Sequence, residues 1–174
     1  MEHSLWQFFV DHRPSILIDI AKLFSVVGDD AVLLPLTLLL AVYGFMTKKR
    51  TLALLGPALA MVPTFIVVGA IKVLVNRSRP PVTSALVDVT SASMPSGHAA
   101  YAAALAATAW ILVASSTRRV LLRWTAVVVA AVAGVSRMIL GVHWLSDVLA
   151  GWAVGATVGF CVVMALGKRL QSTE

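Results

Sequence analysis

Residues 120–167 read VLLRWTAVVVAAVAGVSRMILGVHWLSDVLAGWAVGATVGFCVVMALG, and this stretch decides the class of fold. It contains two apolar runs, 120–137 and 145–167, and each is close to the roughly 20 residues that an α-helix needs to cross a bilayer. Polar and charged side chains stand at the junction of the runs, among them Ser136, Arg137, His143 and Asp147. Ionisable groups are costly in such surroundings, so they mark a functional site by default.

The rest of the chain has the same apolar character. Of its 174 residues, 59% are hydrophobic and 13% are charged, whereas soluble domains have about 25% charged residues. Three further runs are apolar enough to span a membrane: 30–46, 51–74 and 97–116. We therefore predict an all-α polytopic transmembrane bundle of five to six membrane helices. It forms a single domain over residues 1–174, with a transmembrane core at 29–170.

Small residues recur on one face of the last apolar run. Gly151, Gly155 and Gly159 are each separated by three residues, which places them on the same side of a helix. Glycines at this spacing let two helix backbones approach closely in a membrane, so we predict tight helix packing at this face.

The N-terminal segment, residues 1–28, has a different pattern. Its polar residues recur at steps of three or four positions: Ser4, Gln7, Asp11, Ser15, Asp19, Lys22 and Ser25. That spacing produces a narrow polar stripe on a helix, interrupted where Pro14 bends or restarts it. We expect an amphipathic helical segment at the membrane interface. A sixth, tilted spanning helix is the alternative.

The net charge is +6, and basic residues are concentrated beside the apolar runs, at 48–50, 118–123 and 168–169. Clusters in such places indicate the cytoplasmic side of a membrane protein, and not the nucleic-acid-binding surface of a soluble basic protein. Loops 75–96 and 138–144 then fall on the opposite side. We expect a multi-pass protein of the cell membrane, without a cleavable signal peptide, whose active site faces the periplasm or exterior.

Two more polar stretches precede the first one quoted, with K-x6-R-P at residues 72–80 and P-S-G-H at residues 95–98. A lysine ammonium binds phosphate as a point charge, and the forked guanidinium groups of Arg79 and Arg137 match phosphate oxygens. A helix that begins within residues 95–98 presents free backbone N–H groups to an anion. The residues predicted to bind substrate phosphate are Lys72, Arg79, Ser96, Gly97 and Arg137.

His143 and Asp147 are four residues apart, so both can project from one face of a helix. A carboxylate on one imidazole nitrogen fixes the tautomer and leaves the other nitrogen able to attack phosphorus. His98 directly follows the anion-binding turn and could protonate the departing oxygen. Taken singly, either histidine could be a hydrogen-bonded core residue. Two histidines and a carboxylate could also bind zinc, although three nearby cations would repel the metal ion.

Together the three stretches resemble the signature of the type 2 phosphatidic acid phosphatase family, K-x6-R-P, P-S-G-H and S-R-x5-H-x3-D, with order and spacing intact from Lys72 to Asp147. The resemblance implies that His143 is a nucleophile that forms a phosphohistidine and that Asp147 orients it. It implies that His98 acts as general acid and then as general base. It also implies that no metal or other cofactor takes part.

The predicted function is hydrolysis of a lipid phosphomonoester or diphosphate at the outer face of the membrane. The family acts on phosphatidic acid, phosphatidylglycerol phosphate, polyprenyl diphosphates and prenyl-linked sugar phosphates. Because the loops are short, we expect the lipid tail to select the substrate, and a polyprenyl diphosphate such as undecaprenyl diphosphate is the first choice. Alternatives are a prenyl-linked sugar phosphate, a non-catalytic lipid-phosphate transporter, and a vanadate-dependent haloperoxidase, whose soluble relatives fit five spanning runs poorly. The expected partners are the lipid phosphate and membrane lipids, with no nucleic acid.

Overall fold

A computed structural model describes residues 1–46, 52–112 and 117–171, and every regular element within these ranges is helical. The α-helices are α1 (Glu2–Asp11), α2 (Ser15–Val27), α3 (Asp30–Met46), α4 (Leu52–Val75), α5 (Gly97–Leu112), α6 (Thr117–Ile139) and α7 (Leu145–Gln171). A short 3-10 turn, Val82–Ser84, lies in the long connection between α4 and α5. The all-helical fold predicted from the sequence is confirmed.

Each of the five predicted apolar runs coincides with one helix, from α3 to α7. Three of these helices contain a segment long and apolar enough to cross a membrane: Leu55–Val75, Val120–Ile139 and Leu145–Ala165. The other two are shorter, because α3 has 17 residues and α5 has 16. The chain is therefore a membrane protein, and the number of five crossings stays a prediction.

Helix α5 lies at the centre of the bundle and contacts α4, α6 and α7. Its buried residues include a series of alanines: Ala99, Ala100, Ala102, Ala103, Ala104 and Ala106. Helix α7 approaches it through the glycine stripe. A Cβ atom placed on Gly155 would lie 1.9 Å from the carbonyl oxygen of Ala100, and Gly151 and Gly159 also lie against the α5 backbone. The tight packing predicted from the glycine spacing is confirmed.

The N-terminal segment forms two helices, and Pro14 is the residue that precedes the second. Helix α2 has 13 residues, which gives a length of about 20 Å, whereas the hydrocarbon core of a bilayer is about 30 Å thick. This length favours the predicted interfacial position over a sixth span. Helix α2 contacts α6 and exposes the apolar residues Ile16, Ile20 and Leu23. One residue of the predicted polar stripe departs from the pattern, because Ser25 is buried with 9% exposure.

The connections that carry the motifs meet at one end of the bundle, where the backbone N–H of Ser96 donates a hydrogen bond of 2.9 Å to the carbonyl of Asp147. At the other end, the Arg123 guanidinium lies 5.6 Å from the ring centroid of Trp110. Aromatic residues and arginine are both common at membrane interfaces. The predicted cytoplasmic cluster 48–50 lies outside the described residues, as do the side chains of the other clustered basic residues except Arg123.

We expect Gly155→Ala to lower the stability of the protein by about 1–3 kcal/mol, because the added methyl group must push α7 away from the α5 backbone. Gly69→Ala in α4 is the matched control, since no neighbouring atom among the described residues lies within 4 Å of its Cβ position. The control should be neutral or stabilising by up to about 1 kcal/mol. Thermal unfolding in detergent compares the two variants, and equal midpoints would contradict the close backbone contact.

Candidate active site

A cavity of about 260 Å³ lies at the end of the bundle where the three motifs meet. Five of the eight predicted site residues line it: Lys72, Gly97, His98, Arg137 and His143. The other three are close by, because Arg79 and Asp147 both contact His143, and Ser96 is fully buried immediately before α5. The structure therefore brings together residues from α4, α5, α6 and the start of α7.

Two sharp turns of the backbone bring these residues to the cavity. Helix α4 ends at Val75, and Asn76 takes a left-handed conformation with φ of 43°, which asparagine tolerates better than most residues. The turn leaves Lys72 in the last turn of α4 and Arg79 in the loop that follows. After α6, Gly141 has φ of 76°, and a Cβ atom there would lie 2.5 Å from the carbonyl oxygen of Ser84. Glycine at this position lets the chain reverse and bring His143 to the cavity.

His143 and Asp147 are in contact as predicted, although His143 lies in the loop before α7 and only Asp147 lies in the helix. The His143 Nδ1 atom lies 3.4 Å from Asp147 Oδ2, and the two side chains are 2% and 0% exposed. The same Oδ2 atom accepts a hydrogen bond of 2.5 Å from the Ser93 hydroxyl and one of 2.9 Å from the backbone N–H of Trp144. The carboxylate is therefore held in place by several donors in addition to the imidazole.

The other nitrogen of His143, Nε2, lies 3.2 Å from Arg79 Nη1. A guanidinium can only donate a hydrogen bond, so Nε2 accepts it and the proton of the neutral ring is on Nδ1, facing Asp147. Burial is the main cause that lowers the pKa of His143, the charges of Arg79 and Arg137 also lower it, and Asp147 opposes the shift, so that the pKa is about 3. The imidazole is therefore neutral at physiological pH, with a lone pair on Nε2.

Arg79 is held by backbone carbonyl groups. Its Nε atom donates to Ser91 at 2.7 Å, its Nη1 to Val142 at 2.8 Å and its Nη2 to Ala92 at 3.3 Å. Lys72 likewise donates to the carbonyl of Ala92. Neutral oxygens satisfy the donors without cancelling the positive charges, so both cations remain able to attract an anion.

Arg137 is 3% exposed, and its Nη1 atom donates to the hydroxyl of Ser25. Within the described ranges, neither its Nε atom nor the hydroxyl of Ser96 has a hydrogen-bond partner, although both atoms are buried. Buried polar atoms in native proteins are almost always paired, and an unpaired one calls for a specific explanation, such as a role in binding or catalysis. An anion with several oxygen acceptors would satisfy both donors.

His98 has partners on the N-terminal side of the cavity. Its Nε2 atom lies 2.9 Å from the carbonyl oxygen of Ser25, at the end of α2, and 3.8 Å from a carboxylate oxygen of Asp29. Asp29 also accepts a hydrogen bond of 2.9 Å from the backbone N–H of Ala31 at the start of α3. The structure thus places His98 in the cavity that His143 lines, with its Nε2 atom directed to α2.

Arg77 also lies beside the site, but its partners differ from those of the cations predicted to bind phosphate. Arg77 forms ion pairs with Asp147 at 2.7 Å and with Glu2 at 2.9 Å. Its charge is thus matched by two carboxylates, whereas Arg79 donates to carbonyls and Arg137 to a hydroxyl. No sequence signal pointed to the contacts of Glu2 or to the Ser93 hydroxyl. In the described part of the chain, no three His, Cys, Asp or Glu side chains are grouped as metal ligands.

We expect the His143 ring to stay neutral between about pH 5 and pH 8, the range in which histidine usually titrates. Because its pKa is lowered to about 3, the ring gains a proton only well below this range. Spectra of ¹⁵N-histidine-labelled protein in detergent test this, with His143→Asn to assign the signal. The denatured protein is the control, since its ring should titrate near the ordinary pKa of about 6.5. A His143 signal that shifts within the range in the folded protein would contradict the burial.

Comparison with known proteins adds to the geometry. The sequence profile of the PAP2 superfamily matches residues 53–171. Decaprenylphosphoryl-5-phosphoribose phosphatase from two strains of Mycobacterium tuberculosis is 39% identical over 107 residues, or 60% of this chain and 56% of the relative. The chain thus spans about half the length of the curated relatives it matches.

Two solved structures have the same fold. The transmembrane PAP2 type phosphatidylglycerolphosphate phosphatase from Bacillus subtilis superimposes with a TM-score of 0.83 at 28% identity, over 97% of this chain and 85% of the other. LpxE from Aquifex aeolicus superimposes with a TM-score of 0.75 at 21% identity, over 94% of each chain. Since the superfamily profile matches more than half of its length, this membrane protein belongs to the PAP2 superfamily.

Proposed function

We propose that the protein is a metal-independent lipid phosphate phosphatase, which hydrolyses a phosphomonoester or diphosphate through a phosphohistidine intermediate at the outer face of the membrane. The observation that carries the proposal is the arrangement around His143. Its Nε2 lone pair faces Arg79, its Nδ1 faces Asp147, and it lines a cavity with Lys72 and Arg137. These groups are sufficient for nucleophilic phosphoryl transfer.

In the proposed first step, His143 Nε2 attacks phosphorus and forms a nitrogen–phosphorus bond as the bond to the leaving oxygen breaks. His98 gives its proton to that oxygen, so the lipid leaves as an alcohol or as a lipid monophosphate. Asp147 stabilises the positive charge that develops on the imidazole. Arg79 would transfer its hydrogen bond from Nε2 to the incoming phosphate, where Lys72 and Arg137 neutralise the other oxygens. The unpaired Nε atom of Arg137 supports this role.

In the proposed second step, a water molecule attacks the phosphohistidine, and His98 takes a proton from it. The nitrogen–phosphorus bond breaks, inorganic phosphate leaves, and Nε2 regains its lone pair. Ser96 and Gly97 contribute at both stages through the N-terminus of α5, whose free N–H groups favour an anion. The bond between His98 and the Ser25 carbonyl keeps the Nε2 atom occupied until the leaving oxygen or water competes for it.

A specific observation favours a prenyl-linked sugar phosphate as the second candidate for the substrate. The carboxylates of Asp29, Asp30 and Asp88 line the same cavity as the cations. Carboxylates accept hydrogen bonds from sugar hydroxyl groups, whereas they repel the second phosphate of a diphosphate. The name of the Mycobacterium tuberculosis relative, a decaprenylphosphoryl-5-phosphoribose phosphatase, is consistent with this candidate. A transporter that only binds lipid phosphate would have no use for the paired His143 and Asp147.

We expect the purified protein to release phosphate from a lipid phosphate in detergent, with and without EDTA. The panel contains phosphatidic acid, phosphatidylglycerol phosphate, undecaprenyl diphosphate and decaprenylphosphoryl-5-phosphoribose. His143→Ala should lower kcat by at least about a thousandfold, and Asp147→Asn should be less severe, because the imidazole remains. His12→Ala is the control, since His12 is exposed outside the cavity. Full activity of His143→Ala would contradict the assignment of His143 as the nucleophile, and inhibition by EDTA would contradict metal independence.

The orientation of the site has its own test in intact cells. On a Cys161→Ser background, which removes the single natural cysteine, we introduce Thr83→Cys in the exposed 3-10 turn and Lys49→Cys in the basic cluster. A membrane-impermeant thiol reagent should label position 83 and not position 49, because the positive-inside rule places the cluster in the cytoplasm. The reverse pattern would place the site on the cytoplasmic face.

A further inference from the structure

The carboxylate of Asp147 has a second partner in addition to His143. While Oδ2 faces the imidazole and the Ser93 hydroxyl, Oδ1 accepts a hydrogen bond of 2.7 Å from Arg77 Nη1. The carboxylate is fully buried, so it has no access to water that could stabilise other orientations. Its direction is therefore set by Arg77 on one side and Ser93 on the other.

Arg77 is fixed in turn by the first helix. Its Nη2 atom lies 2.9 Å from Glu2 Oε2, and the other carboxylate oxygen of Glu2 accepts hydrogen bonds from the backbone N–H and the hydroxyl of Ser146. Arg77 Nη1 also donates to that hydroxyl. Glu2, Arg77 and Ser146 thus form a closed ring of hydrogen bonds, and Asp147, the residue after Ser146, is joined to this ring through Arg77.

Glu2 is ionised in this ring. Partial burial raises the pKa of its carboxyl, but hydrogen bonds from Ser146 and Arg77 and the charge of Arg77 outweigh burial and lower the pKa below its ordinary value. Helix α1 is also held against the loop that carries His143, because the buried Trp6 donates a hydrogen bond of 3.3 Å to the carbonyl of Gly141. Glu2 therefore has little freedom to leave Arg77.

We propose that Arg77 and Glu2 are positioning residues for the nucleophile, which act by holding the Asp147 carboxylate toward His143. The inference rests on the proposed function, in which His143 becomes positively charged as it attacks phosphorus. Arg77 alone would fix Asp147 but would also cancel the negative charge that the imidazole needs. Glu2 offsets the charge of Arg77, so the three residues together present one net negative charge to His143.

The proposal predicts how strongly each variant of Arg77 and Glu2 lowers kcat. Arg77→Gln should lower kcat by about 10- to 100-fold, the usual cost of removing a group that orients a catalytic side chain. Glu2→Gln should have a smaller effect, because Arg77 still contacts Asp147. The double variant should be no slower than Arg77→Gln, because Glu2 acts only through Arg77 and the two effects are not additive. Arg77→Lys keeps the charge and one contact, so it should recover part of the lost kcat.

Three measurements on the same variants distinguish a positioning role from two others, which are phosphate binding and a purely structural role. KM and inhibition by inorganic phosphate, the product, should stay within about twofold of wild type, because Arg77 does not hold the phosphate. A raised KM and weaker inhibition by phosphate would make Arg77 a phosphate ligand and overturn the proposal. An unchanged kcat with a lower unfolding temperature would make the ring purely structural and would also overturn it. Asp11→Asn is the control, since it removes an exposed carboxylate from the other end of α1.

A measurement that needs no catalytic turnover tests the positioning role of Arg77 independently of the proposed function. In ¹⁵N-histidine spectra of the ligand-free protein, Arg77→Gln should move the Nδ1 proton signal of His143 upfield, because the hydrogen bond to Asp147 weakens. Asp11→Asn should leave the signal in place. If wild type releases phosphate from no lipid, the proposed function fails and the spectrum alone decides the positioning. An unchanged signal in Arg77→Gln would overturn the positioning whatever the activity.

Discussion

The direct contact between the backbones of α5 and α7 is the constraint on which the rest of the structure depends. At Gly155 no side chain separates the two helices, and a Cβ atom at this position would collide with the carbonyl oxygen of Ala100. The starts of α5 and α7 consequently lie side by side, and a hydrogen bond from the backbone N–H of Ser96 to the carbonyl of Asp147 joins them. The anion-binding turn and the His143–Asp147 pair come from different motifs, and this closeness puts them at the same cavity. The glycine stripe of α7 thus sets the geometry of the polar site at one end of the bundle.

A second constraint is the cost of burying charge, and the four cations near the cavity meet it in two ways. An unpaired charge in a low-dielectric interior costs several kcal/mol. Arg79 is paired with neutral carbonyls and Arg137 with a hydroxyl, so their hydrogen bonds are satisfied while the positive charge persists. Arg77 is paired with carboxylates, which neutralise its positive charge within the protein. The chemical nature of the partner therefore separates the proposed phosphate-binding cations from the one that supports Asp147.

The sequence predicted the helices and their common end well, because apolar length and charge position are properties of local stretches. It also predicted the contact of His143 with Asp147, although the two do not share a helix: His143 lies in the loop just before α7, and only Asp147 lies in its first turn. It missed the partner of Arg77, because the contact with Glu2 joins distant parts of the chain and depends on the path of a loop without regular structure. Ser93 carried no signal for the same reason: a serine in such a loop is usually solvated.

The amphipathic pattern of the N-terminal segment did not indicate that its two helices also supply polar partners to the site. The polar stripe predicted that Ser25 faces water, yet its hydroxyl accepts a hydrogen bond from Arg137 and its carbonyl faces His98. Helix α1 contributes Glu2 on the opposite side, next to Arg77. Each helix therefore supplies polar partners to one half of the proposed machinery, while apolar residues of α2 stay exposed. The segment predicted to lie at the membrane interface is also a wall of the cavity, which Ser25 lines, so the predicted position of α2 and the geometry of the cavity are physically linked.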